Sequence, residues 1–492
     1  MYNRRQFIRG LVGAAGLSLV PDVFMGAASP QKKRNIVFFL VDDLGWGDLG
    51  CYADTYHETP NIDHLCASGL KFTNAYAGAP VCSPSRAAIM TGKAPARLHL
   101  TQWIPGNFYP HKKLLEAPTP NHLDLSIPTI PEQLKRAGYQ TAAIGKWHLG
   151  GSGYLPENFG FDINIAGDSH GSPGPPNHYF GPFHYHNLTG YTDHDYLTEV
   201  LTSKFEQVIT QVAAKGPFFL YMAEYAVHIP LEARLSLIEK YRRKNGGRDE
   251  PDPVYGAMVE TVDTALGALR GTLKRAGVAE NTIIVLTSDN GGLGFQGRRL
   301  HRIADNGPLR AGKGFLYEGG IREPMIMYWP GVTKPGAVCD VPVIGTDLMP
   351  TILSMVGAGP VPSPCDGLDI SNLFRGEMSL DRDALYWHYP HYSDQGGTPS
   401  GAIREGDWKL IEFFEDGHLE LYNLALDPGE QYNFASSFAD RASDLLNKLR
   451  NWRQNVSARM PRPNPEFDDA RAQLRIGPPG CSWNPISTCL ED

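Results

Sequence analysis

Four short, largely apolar runs punctuate the chain, and each stops at a polar cluster. Asn35-Ile36-Val37-Phe38-Phe39-Leu40-Val41 is apolar almost throughout, which predicts a strand buried on both faces in a parallel sheet. It ends in Asp42-Asp43, two adjacent carboxylates that are costly behind a buried strand unless a cation or a capped turn absorbs their charge. Tyr139 to Ile144 predicts a second strand, followed by Lys146 and His148; Pro217 to Met222 predicts a third, followed by His228. Thr282 to Thr287 predicts a fourth, followed by Asp289-Asn290. Helical periodicity covers Pro131 to Ala137, about Tyr196 to Ala214, about Val254 to Arg275, and Asp347 to Met355. Strands alternating with helices make an α/β fold, and such sheets bind ligands at the carboxyl ends of their strands.

A different pattern follows Phe374. Ala384 to Trp387, Ala402-Ile403, Trp408 to Ile411 and Leu419 to Asn423 predict short strands separated by turn residues, and a helix is predicted from about Ala439 to Val456. The organisation read from these shifts is an export signal over residues 1–30, a large α/β domain over 31–375, a smaller subdomain over 376–460, and an irregular Pro- and Gly-rich tail over 461–492. The export signal rests on the twin-arginine motif Asn3-Arg4-Arg5-Gln6-Phe7-Ile8-Arg9, the weakly apolar Leu11 to Val20, and the small residues Ala27-Ala28-Ser29. No later apolar run is long enough to span a bilayer, so an exported, soluble protein (periplasmic or secreted) is expected.

The 492 residues carry a net charge of −8, which argues against a general nucleic-acid binder. An anionic substrate must then be captured by local positive charge. Of the cysteines Cys51, Cys66, Cys82, Cys339, Cys365, Cys481 and Cys489, no Cys-x-x-Cys spacing suggests zinc; Cys481 and Cys489 are the first pair to test for a disulfide. The Gly-, Pro- and His-rich stretch between Gly150 and His194, with His170, His178, His184 and His186, matches no standard zinc spacing and reads as a substrate-recognition loop.

One stretch concentrates chemistry: Pro80-Val81-Cys82-Ser83-Pro84-Ser85-Arg86-Ala87-Ala88-Ile89-Met90-Thr91-Gly92. Ser83 reads as a helix N-cap with Pro84 at the first helical position, and Gly92 closes the helix. Cys82 then lies just before a helix N-terminus, with Arg86 one turn on, a setting that favours a reactive thiol and a bound anion. By itself such a cysteine reads as a small core residue. Cys-x-Pro-x-Arg followed by two variable residues, two apolar ones, a small residue and Gly resembles the signature of the type I sulfatases. Gly138-Tyr139-Gln140-Thr141-Ala142-Ala143-Ile144-Gly145-Lys146-Trp147-His148 is similar to a second signature of the same family. The segment Ala96-Arg97-Leu98-His99-Leu100-Thr101-Gln102-Trp103-Ile104-Pro105-Gly106 is similar to one in bacterial polysaccharide sulfatases related to arylsulfatase A. The resemblance runs from about Asn35 to about Phe434.

The resemblance implies an alkaline-phosphatase-like large mixed sheet flanked by helices, plus a smaller C-terminal antiparallel sheet with a helix. It implies that a formylglycine-generating maturation enzyme oxidises Cys82 to Cα-formylglycine, whose hydrate is the nucleophile on a sulfate ester. Asp42, Asp43, Asp289 and Asn290 offer only oxygen, which suits Ca2+ or Mg2+; the family places that ion against the modified Cys82. Arg86 would hold the hydrate, and Lys146 and Lys313 resemble the sulfate-binding lysines. His228 resembles the histidine that, with Lys313, protonates the leaving oxygen, although Val227 stands where many members have Pro. His148 would take the proton whose loss expels sulfate. The expected substrate is a sulfated glycan, with sugar and position open. Two other readings stand beside it: a phosphate or phosphonate monoester hydrolase of the same superfamily, and an inactive carbohydrate-binding homologue.

Overall fold

The computed structural model describes residues 33–174, 178–248, 250–294 and 302–474. The proposed export signal and the Cys481–Cys489 pair lie outside these residues. From Arg34 onward the described residues form one unit, built on a nine-stranded mixed sheet and a four-stranded antiparallel one.

The large sheet contains β1 (Asn35–Val41), β2 (Leu70–Tyr76), β3 (Gln140–Gly145), β4 (Ile163–Ile165), β5 (Phe218–Ala223), β6 (Thr282–Ser288), β7 (Arg322–Tyr328), β8 (Ala337–Cys339) and β9 (Val343–Ile344). Its order is β9-β2-β7-β6-β1-β5-β3-β4, with β8 also on β2. The four strands expected from apolar runs lie side by side and parallel, with Ile36 opposite Phe219 on one flank and Ile283 on the other. Every residue of β1 is buried, as its sequence requires. Helices α1 (Cys82–Thr91), α2 (Ile130–Arg136), α3 (Leu197–Val212), α4 (Pro253–Arg275) and α5 (Leu348–Val356) flank the sheet. Two apolar clusters cover its faces: Phe39, Leu220, Leu286, Leu201 and Val262 belong to one, and Phe38, Phe219, Val285, Ile89 and Ile352 to the other.

Two elements depart from the local reading of the sequence. The sheet is mixed, as the resemblance implies, but the strand that makes it so is not among the apolar runs: β7 runs against its neighbours β6 and β2. It opens with Arg322-Glu323-Pro324, a start that reads as a turn, yet Arg322 is ion-paired to Glu318 and Glu323 accepts from Thr287. Pro324 is tolerated because β2 bulges opposite it: Phe72 faces Met325 and Ala75 faces Glu323. The second departure is in α1. Val81, with extended backbone, is its N-cap, and Cys82 is already its first residue. Ser83 does not cap; its Oγ accepts the Ile104 N–H at 3.0 Å. Pro84 still falls among the first N–H positions, which lack helical partners, so it costs nothing. Gly92 closes the helix in the left-handed region, as expected.

The second sheet, β10 (Leu385–Tyr389), β11 (Ser400–Glu405), β12 (Trp408–Phe413) and β13 (Leu419–Asn423), is a meander in sequence order. Helix α6 (Ala439–Asn455) packs Leu445 and Leu449 against Ile403, Leu410 and Leu421. The chain beyond is not wholly irregular: Arg462–Pro463 pair with Leu114–Leu115, and the Asn464 side chain donates to Pro110 and Lys112 carbonyls. Among the described residues every cysteine is a free thiol, and no helix is long and apolar enough to cross a membrane.

Candidate active site

Because β1, β3, β5 and β6 are parallel, their carboxyl ends deliver Asp42 and Asp43, Lys146 and His148, His228, and Asp289 and Asn290 to one edge. The preceding strands are locked closely enough to set these side chains. Gly145 lies so near β5 that a Cβ there would sit 1.9 Å from the Ala223 carbonyl, which itself accepts the Lys146 N–H. Val227, the departure from the family pattern, donates its N–H to the Asp42 carbonyl at 2.8 Å. A proline could not make that bond. Asp43 and His148 both have left-handed backbone, with φ of 60° and 58°, a cost that non-glycine residues carry mainly where geometry serves a site.

The site is an alternation of buried opposite charges. Lys146 Nζ lies 2.6 Å from Asp42 Oδ2, Lys313 Nζ 2.8 Å from Asp43 Oδ2, and Arg86 Nε 2.8 Å from Asp289 Oδ2. Arg86 also donates to the Lys146 carbonyl. Asn290 gives its amide hydrogens to Asp43 Oδ1 and the Gly291 carbonyl. Its own Oδ1 is buried without a hydrogen-bond partner, and so is Asp42 Oδ1, which has only Arg86 Nη2 at 3.8 Å. Two orphaned oxygens beside further carboxylates are donors suited to a hard cation. Asp42, Asp43, Cys82 and His228 each offer an atom within 4.8 Å of the others, so Cys82 opens α1 directly against the acidic cluster.

Burial and Asp289 push the Asp42 carboxyl up to about 8 against the pull of Lys146. Burial opposes charge on Asp43 too, but Lys313 and His228 overcome it and hold it below the usual carboxylate range. The Cys82 thiol is lowered to about 7: burial resists ionisation, and Lys146 and Lys313 outweigh it. The lysines thus do what had been expected of Arg86, whose guanidinium is engaged by Asp289. Burial and Lys313 disfavour a proton on His228, but Asp43, Asp42 and a hydrogen bond with Cys82 raise it above the ordinary histidine value. Its Nδ1 bonds the Ile229 carbonyl at 2.6 Å and its Nε2 lies 3.6 Å from Asp43. His148 behaves oppositely: burial and Lys146 hold it well below the usual range. Its Nε2 bonds the Ile104 carbonyl, leaving Nδ1 buried and unpartnered.

A cavity of about 400 Å³ opens onto these groups, in the size range of small-ligand sites. Cys82, His148, His228 and Lys313 line its floor. Trp103, Ile104 and Pro105 line one wall, so the Ala96–Gly106 segment reaches the site. Ser169 to Ser172, including His170, line another, which places part of the His-rich loop there; His184 and His186 do not line this cavity. Asp394 and Gln395, from the turn between β10 and β11, complete the rim. Sequence reasoning did not single these two out, since nothing local marks a turn in one sheet as the rim of a cavity beside another.

Comparison with known proteins agrees with this geometry. The family model described as "Sulfatase" matches residues 34–358, and one described as "N-sulphoglucosamine sulphohydrolase, C-terminal" matches residues 311–455. N-acetylgalactosamine-6-sulfatase of Canis lupus familiaris is 32% identical, covering 95% of this chain and 94% of that protein. Arylsulfatase A of Homo sapiens is 32% identical, covering 85% and 87%. The crystal structure of Ps i-CgsB in complex with k-i-k-neocarrahexaose superposes with a TM-score of 0.72 at 28% identity, covering 89% of this chain and 95% of that one. A family model over most of the chain, and relatives matching nearly its whole length, make the chain a member of the sulfatase family, the sulfuric ester hydrolases.

Proposed function

We propose that this sulfatase acts on a sulfated glycan, using Cα-formylglycine made from Cys82 by a maturation enzyme and a divalent cation, Ca2+ or Mg2+, held by Asp42, Asp43, Asp289 and Asn290. The observation that carries the reading is the opening of α1 against the acidic cluster, with Cys82, Asp42, Asp43 and His228 offering atoms within 4.8 Å of one another. The unpartnered Asp42 Oδ1 and Asn290 Oδ1 and the all-oxygen donor set fit such an ion. When bound, the two groups supply a hydroxyl nucleophile and polarise a sulfate oxygen. The chain's own residues do the rest. Lys146 and Lys313, paired with Asp42 and Asp43, would hold sulfate oxygens beside the carboxylates that would hold the cation. Arg86 orients the nucleophile's neighbourhood through Asp289 and the Lys146 carbonyl. His228, favoured in its protonated form, gives a proton to the leaving sugar oxygen with Lys313 beside it. His148, kept neutral with Nδ1 free, accepts the proton whose loss releases sulfate.

The glycan reading is supported by the relatives' names, which specify a sulfated amino sugar and a carrageenan oligosaccharide, and by the aromatic and histidine walls of the cavity. Export through a twin-arginine signal completes the reading, because that route carries folded, already modified protein. The test is sulfate release from 2-, 4- and 6-sulfated saccharides by matured enzyme, with mass spectrometry of the Cys82 peptide. Release should stop on chelation and return with calcium or magnesium, and the peptide should have lost sulfur and gained an aldehyde. Full activity with an unmodified Cys82 thiol, or rescue by zinc alone, overturns it.

A further inference from the structure

A second cavity of about 250 Å³ adjoins the first, and the two share Lys313 and Gln395 as a common wall. Its lining has a different character. The first cavity holds Asp43 and Asp394, whereas no carboxylate lines the second among the described residues. Arg302 reaches into it from an exposed position and has no acidic partner among the described residues. Phe315 contributes a half-buried ring, a flat apolar surface of the kind that a pyranose face covers. Gln395 is oriented by its own turn: Ser393 Oγ accepts the Gln395 backbone N–H and donates to Gln395 Oε1, which leaves the Nε2 hydrogens as free donors. The Asn306 side chain is fully engaged by the Gly292 backbone and the Ala311 carbonyl, so it shapes the wall without competing for ligand.

An aromatic surface, an outward amide and an unpaired guanidinium, with no carboxylate among them, make an acceptor for a sugar bearing negative charge. Arginine's planar fork matches both sulfate and carboxylate oxygens. Resting on the sulfatase reading above, we propose that this cavity is a second sugar subsite. The residue next to the sulfated sugar lies over Phe315, with Gln395 bridging the two rings and Arg302 binding an anionic substituent, a second sulfate ester or a uronate carboxylate. The enzyme is therefore built for an oligosaccharide with anions on neighbouring residues, and the −8 net charge of the chain is offset locally at two points instead of one.

The test uses full-length matured enzyme and competition against 4-methylumbelliferyl sulfate, which is too small to reach Arg302. The competitors are 2-, 4- and 6-sulfated galactosyl disaccharides whose neighbouring sugar is uncharged, sulfated, or a uronate. In the wild type the second anion should lower the inhibition constant about tenfold relative to the uncharged neighbour. Arg302→Gln should erase that gap and Arg302→Lys should keep most of it, with aryl sulfate turnover unchanged in both. A gap with the sulfated neighbour alone assigns the subsite to sulfate, and one with the uronate alone assigns it to carboxylate. A gap that survives Arg302→Gln, or an equal loss for the uncharged neighbour, overturns the proposal. Absence of sulfate release from every one of the disaccharides, and not from 4-methylumbelliferyl sulfate alone, defeats the proposed glycan sulfatase reading instead, and calorimetric titration of the same disaccharides then reads the Arg302 effect directly.

Discussion

Two histidines lining one cavity are pushed in opposite directions, a split that supports the roles proposed for them. His148 is buried beside Lys146 and is held well below the usual histidine range; His228 is buried too but faces Asp43 and Asp42, which favour its proton and raise it above that range. Groups whose environments separate their proton affinities in this way make an acid and base pair. The assignment gives a graded expectation for His228→Ala. An alkyl sugar sulfate leaves as a strongly basic alkoxide and needs the proton, so kcat on it should fall about 10²–10⁴-fold. An aryl sulfate leaves as a stable phenolate, and its kcat should fall about tenfold or less. Paired kcat measurements on both substrates check this, and equal losses would remove His228 from the acid role. The residues at this scale could be named from sequence because strands end at them and signatures surround them. Their proton affinities could not, because Asp43 meets Lys313 across 270 positions of chain.

At the scale of elements, the site depends on how a loop is pressed against a strand end. The His148 backbone N–H donates to the Asp168 carbonyl, and Gly171 packs on its imidazole so closely that a Cβ would lie 2.5 Å from Cε1 and Nε2. Gly171→Ala should therefore displace either the ring or the 168–172 loop. We expect kcat to fall at least about tenfold while thermal stability changes by about 1 kcal/mol or less, since the loop borders the cavity and not the core. Kinetics alongside a melting curve separate the two effects. The parallel strands were readable because burial on both faces imposes continuous apolar runs, as in Ile36 to Val41. β7 escaped because its charged start is neutralised by Glu318, and its proline by a bulge in β2, partners distant in sequence. The capping error in α1 has a similar cause: Ser83 is a good cap locally, but its hydroxyl is claimed by Ile104. Of the His-rich loop only Ser169 to Ser172 line the cavity, and the rim from Asp394 and Gln395 depends on how the two sheets meet.

At the scale of the whole molecule, that meeting is held by a buried ionic network. Lys409 of β12 lies 2.9 Å from both Glu318 and Glu430, and Glu318 also takes Arg322 at 2.7 Å and the Tyr76 hydroxyl at 2.8 Å. Trp387 of β10 reinforces it by donating to the Ala77 carbonyl just before the signature helix. Because the second sheet carries the Asp394–Gln395 rim, whatever loosens it should disturb the cavity. Acid is one such perturbation, and His388 is a group through which we expect it to act. His388 lies buried in β10, with Nε2 on the Arg459 carbonyl and Nδ1 unpartnered, and burial together with Arg453 lowers it to about 3. An unfolded histidine titrates near ~6.5, so the folded state binds fewer protons between those values. A depressed group of this kind contributes its full stability above pH ~6.5, and that stability is lost as pH falls toward 3, by up to about 1.4 kcal/mol per pH unit. His388→Gln keeps a neutral donor for the Arg459 carbonyl and removes the titration. Urea unfolding between pH 7 and 4 should show the wild type losing stability more steeply than His388→Gln. The difference between the two slopes isolates this one site from the carboxylates that titrate in both proteins. Activity at pH 5 should favour the variant in parallel, because the rim stays docked. Identical slopes would mean that folded His388 takes up its proton as readily as the unfolded chain does, and the acid sensitivity of the second sheet would then have to come from its carboxylates.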